Sequence, residues 1–92
     1  MQLARFLNNV FKKDGFILVD ANSKNYIIGN PKSENPIKVK ILNKNLHYKL
    51  LIHPDLYFGE AYTDGDIIIE NGTLTDFLDL SLMNFGRGDL NF

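Results

Sequence analysis

The spacing of apolar residues changes character along this chain, and that change limits the folds open to it. Leu3, Phe6, Leu7, Val10 and Phe11 recur at helical intervals and form one stripe. From Ile37 to Leu42 the period drops to two, with Ile37, Val39 and Ile41 on one face and Lys38 and Lys40 on the other. A helical pattern cannot settle as a strand, nor the reverse, so both element types must be present. The first stripe predicts a helix ended by Gly15, with Lys12 and Lys13 suited to its C-terminal dipole. The β-branched and aromatic runs 16–20 and 25–29 flank the turn-forming "ANSK" and predict a hairpin. A loop bounded by two prolines, 30–36, then leads to the alternating strand.

The second half continues in the same mixture. Residues 43–53 predict a short helix with Asn43 as cap and Leu46, Leu50 and Leu51 inward. Residues 54–65 stay open between helix and loop. Pro54 suits a first turn, Leu56 and Glu60 share a face, and Gly65 suits a terminator, but Gly59 weakens the helix. The three isoleucines of "DIIIE" (66–70) predict a strand buried on both faces, central in its sheet. "NG" at 71–72 turns the chain, and Thr73 with Asp76 fits a capping box. Behind that box Leu74, Phe77, Leu78, Ser81, Leu82 and Phe85 keep helical spacing, with Gly86 as the stop and 87–92 as tail or linker. The order predicts one α+β domain over 1–86: a small, mostly antiparallel sheet of about four strands covered by helices.

Charge and composition exclude several functions. There is no cysteine, so thiolate metal sites and thiol catalysis are out, and a reducing compartment fits. His47 and His53 alone cannot complete a zinc shell. Apolar residues at the start are spaced rather than continuous, which reads as a helix and not a signal peptide. The expected location is cytoplasmic, with peripheral contact at the inner membrane face. Residues 1–49 hold nine bases against three acids, while residues 50–92 hold one base against eight acids. The basic half suits phosphate-bearing surfaces, or the two halves simply attract each other. No phosphate loop, dinucleotide fingerprint or aromatic-studded basic motif is present, so no nucleic-acid partner is expected.

The acids of the second half admit two readings. Asp64-Gly65-Asp66 has the look of a metal pair, yet Asp and Gly also simply redirect a chain before a strand. Glu60 and Asp64 lie four apart, as a carboxylate pair or as a solvated helix face. His53 before Pro54 has no nucleophile elbow to serve and reads as a helix-end residue, as does His47.

The stretch 53–80, "HPDLYFGEAYTDGDIIIENGTLTDFLDL", resembles the N-terminal region of cyclopropane-fatty-acyl-phospholipid synthases and their methyltransferase relatives. Pro54, Leu56, Gly59, Glu60, Ala61, Tyr62, Asp64 and Gly65 match the family pattern; Thr63 stands where the family often carries Met. The hairpin and the strand at 37–42 resemble the family's opening elements. The resemblance implies a sterol-carrier-like α+β domain that helps handle lipid. It implies that methylene transfer from S-adenosylmethionine to an unsaturated acyl chain belongs to a methyltransferase domain placed C-terminally. No catalytic, cofactor-binding or metal-binding residue is expected in this chain. Gly59, Glu60, Ala61, Tyr62, Asp64 and Gly65 would form a structural corner or a docking point for that domain. In the corner, the glycines would allow close backbone approach, Glu60 would accept from neighbouring backbone donors, and Tyr62 would bury its ring. Lys38, Lys40, Lys44 and Lys49 are the candidate contacts to anionic phospholipid headgroups. A free-standing acyl-chain or small-molecule binding module, and a protein-interaction domain able to form a homodimer, are the alternatives.

Overall fold

The computed structural model describes residues 1–90, which run α1 (Gln2–Val10), β1 (Gly15–Val19), β2 (Asn25–Gly29), β3 (Lys38–Ile41), α2 (Leu46–Ile52), α3 (Pro54–Asp64), β4 (Ile67–Glu70) and α4 (Leu74–Leu90). The fold is α+β, and the open segment 54–65 is a helix. Strand order is β2-β1-β3-β4. β1 pairs antiparallel with β2 and parallel with β3, and β3 pairs antiparallel with β4. The sheet is therefore mixed, with antiparallel pairing in the majority. β2 and β3 flank β1, so the loop after Gly29 only has to pass the end of β1. No crossover helix is needed, which is why a parallel pair arises from so short a connection.

One face of the sheet carries the core. Phe16, Leu18, Ile28, Val39, Ile41 and Ile67 are buried there beneath Leu3 and Phe11, Leu46 and Leu50, Ala61, and Phe77, Leu80 and Phe85 from the helical layer. The other face is open: Ile27 is 66% exposed and Ile68 is 43% exposed. The structure is thus two layers, helices on one side of the sheet and solvent on the other. The edge at β2 is closed by one side chain. Asn8 of α1 accepts from the Gly29 N–H at 2.8 Å and donates to the Ile27 carbonyl at 3.4 Å, replacing a missing neighbour strand.

Several expectations change. β4 is an edge strand and not a central one; only Ile67 of its isoleucines is fully buried, because the sheet has a single covered face. α1 ends at Val10, where the Phe11 N–H still reaches the Leu7 carbonyl. Gly15 opens β1 instead of ending the helix, and a Cβ there would run into the Ile28 carbonyl. Asn43 precedes the start of α2, its side chain accepting from the Asn45 N–H at 3.0 Å. Leu82 points outward at 55% exposure while Leu80 takes the buried position. α4 continues past Gly86 to Leu90, so residues 87–90 of the expected tail 87–92 are helix; residues 91 and 92 lie outside the described residues.

Candidate functional site

The corner from α3 to β4 is built by glycine at one position only. Gly65 adopts φ 83°, and its N–H reaches the Tyr62 carbonyl at 3.3 Å. The Asp66 N–H reaches the Ala61 carbonyl at 2.8 Å, completing a left-handed helix stop. Ala61 is buried behind this turn. The corner therefore exists, but two of its expected details do not. A Cβ on Gly59 would meet nothing within 4 Å, so no close approach requires glycine there. Tyr62 is 40% exposed, since its place on α3 faces away from the sheet. Glu60 and Asp64 lie exposed on the same outward face. Among the described residues no group of three or more His, Cys, Asp or Glu converges to hold a metal ion.

Beside this corner lies an apolar cavity of about 150 Å³. It forms because α4 bridges the helical layer on large side chains rather than lying flat on the sheet. Phe77 meets Phe16 edge-on at 5.1 Å and stacks on Phe58 at 5.2 Å, while Phe85 meets Phe11 edge-on at 5.6 Å. These rings, with Leu7, Val39 and Leu78, line the space. Leu78 is 44% exposed and marks the open side. Among the described residues only two of those lining it are polar, Ser81 and Asp55. Ser81 donates its hydroxyl to the Phe77 carbonyl at 2.9 Å.

Asp55 sits in the first turn of α3. Its Oδ1 lies 2.6 Å from Nδ1 of His53, whose side chain is half exposed while that of Asp55 is 13% exposed. Desolvation would raise the Asp55 carboxyl; the His53 ring, the Leu56 N–H and its own amide outweigh it and hold the group below its ordinary value of 3.8. Helix N-terminus, histidine and carboxylate thus make a fixed anion at the cavity mouth. His53 does not line the cavity, and the Ser81 hydroxyl is engaged elsewhere, so these three residues form no nucleophilic relay. His47 lies at the start of α2 with its Nε2 buried and unpartnered among the described residues.

The four candidate lysines divide between two surfaces. Lys38 and Lys40 project from the open sheet face, and Lys40 pairs with Glu70 at 3.3 Å. Lys49 belongs to the helical layer, where its ammonium lies 5.6 Å from the centre of the Tyr57 ring. Lys44 is exposed in the turn before α2. Asn84 was not singled out from the sequence, yet it fastens α4. Its Oδ1 accepts from the Lys12 and Lys13 amides, each at 2.7 Å, and its Nδ2 donates to the Lys13 carbonyl at 2.8 Å. Its partners are loop amides far away in sequence, which no local pattern reveals. Asp55 carried a weak signal, an acid at the third position of His-Pro-Asp where a helix begins.

Neither a scan against models of known protein families nor a search of curated proteins finds a match to this chain. Among the described residues no helix is long and apolar enough to cross a membrane.

Proposed function

We propose that this chain is the non-catalytic N-terminal accessory domain of an enzyme like the cyclopropane-fatty-acyl-phospholipid synthases, and that it holds part of a lipid tail. The observation that carries this reading is the apolar cavity between the sheet, α3 and α4. Cavities lined by leucine and phenylalanine stay dry and favour hydrocarbon. The resemblance of residues 53–80 supplies the family, and with it a sterol-carrier-like role. Methylene transfer from S-adenosylmethionine belongs in this reading to the methyltransferase domain that follows in that family. The protein's place is then the cytoplasm, against the inner face of the membrane.

Native mass spectrometry of the chain with a monounsaturated phospholipid tests the tail-holding role. A one-to-one adduct is expected; a bare protein mass at saturating lipid overturns it. Titration with S-adenosylmethionine is expected to release no binding heat, and tight binding would overturn the non-catalytic assignment.

A peripheral contact with anionic lipid is a second part of the reading, favoured by Lys38 on the same open sheet face as exposed Ile27 and Ile68. Each base near an anionic surface contributes about 1 kcal/mol. Co-sedimentation with anionic vesicles at low salt is expected to weaken in Lys38→Glu. Equal sedimentation of the two proteins would remove this part.

A further inference from the structure

We infer that the cavity takes the tail of an amphiphile whose head carries an ammonium group. This rests on the tail-holding reading above and adds the chemistry of the head. Among the described residues Asp55 is the one charged residue in the cavity wall, and its interactions with His53 and the α3 amides keep it a carboxylate. A second, shallow concavity meets the first at Asp55. It continues along the outward face of α3 past Leu56, Gly59, Glu60, Thr63 and Asp64.

The apolar cavity thus has a carboxylate in its wall, and the outer part beyond it on α3 is acidic. A tail seated among Phe58, Phe77 and Leu78 brings its head to Asp55, with Glu60 and Asp64 further along α3. Gly59 leaves the floor of that outer part free of any side chain, with open space above its Cα. Among the described residues three carboxylates and no base line this outer part, so it repels an anionic head and complements a cationic one. Lys49, which does contact α3, lies over the Tyr57 ring instead. The lysines of the open sheet face stand on the other layer.

Three ligands with one tail decide the matter: octyltrimethylammonium, octanol and octanoate, each titrated calorimetrically below its micellar concentration. The expected order of affinity is ammonium, alcohol, carboxylate, with roughly tenfold between the first and last, a gap set by charge alone. In Asp55→Asn that gap shrinks while octanol affinity holds, which also shows that the cavity is intact. Glu60→Gln with Asp64→Asn leaves the His53–Asp55 pair in place and narrows the gap without closing it. Octanoate binding as tightly as octyltrimethylammonium to the unaltered protein overturns the head assignment and leaves the tail site standing. Binding of none of the three overturns both.

Discussion

Gly59 and Gly65 lie in and just after one helix and have opposite uses. Gly65 holds a left-handed conformation that a side chain strains, so Gly65→Ala should cost about 1–2 kcal/mol. Gly59 is an ordinary helical position with open space, so Gly59→Ala should stabilise by about 0.8–1 kcal/mol. Urea denaturation of the two variants checks both signs. "DG" before a strand made the Gly65 stop legible in the sequence. The idle Gly59 was not legible, because glycine reads alike whether space is needed or merely present. Asp20 gives a pH prediction of its own. Desolvation would raise its carboxyl, but the Lys24 and Asn22 amides and the Tyr26 hydroxyl, at 2.9, 2.9 and 3.1 Å, outweigh it and hold the group below 3.8. A folded value below the unfolded one stabilises the fold above the unfolded value, and this is lost as pH falls through the folded one. Denaturation midpoints should therefore decline on the acid side of the ordinary aspartate range, and less steeply in Asp20→Asn.

α4 is the element on which the cavity depends, and polar groups fix it at its N-terminus and again at Asn84. Thr73 and Asp76 exchange backbone bonds at 2.9 and 3.1 Å, so Thr73→Ala should cost about 1 kcal/mol. Asn84 ties the helix to the loop after α1. Asn84→Ala should cost about 1 kcal/mol and raise amide exchange in α4 before it does so in β1 or β3. Equal acceleration in sheet and helix would show that α4 does not open separately. The cap could be read from four consecutive residues because both partners lie within one turn. The Asn84 contacts could not, since they cross 72 and 71 residues of chain. The same limit explains β4. Three isoleucines announce a strand, but its place at the sheet edge is decided by how α2 and α3 carry the chain from β3. The inward stripe of α4 erred because the helix turns the face of Phe77, Leu80 and Phe85 inward, which leaves Leu78 and Leu82 exposed.

At the scale of the molecule, a two-layer domain of this length buries little more than about 60% of its unfolded surface and has no disulfide to help. Its total stability is then of the order of 5–10 kcal/mol, and the aromatic cluster carries a large share of it. Phe77 joins three parts of that cluster, touching Phe16 of the sheet and Phe58 of α3 from its place on α4. Fold class and element order were legible because periodicity reports which face each element buries. The cavity was not, because the same phenylalanines read as core whether they close ranks or leave a gap between them. That difference can be measured. Phe77→Ala should cost about 3–5 kcal/mol, leaving the domain near its folding threshold. It should also join the lost ring volume to the existing cavity rather than let the walls collapse, since Phe16 and Phe85 remain propped against Phe11. A small apolar ligand such as benzene should then restore part of the loss, by about 2.7 kcal/mol at a hundredfold excess over its dissociation constant. Thermal denaturation with and without benzene reads this directly. A variant that is destabilised but indifferent to benzene would mean that the walls close on the gap, and that no persistent apolar space exists beneath α4.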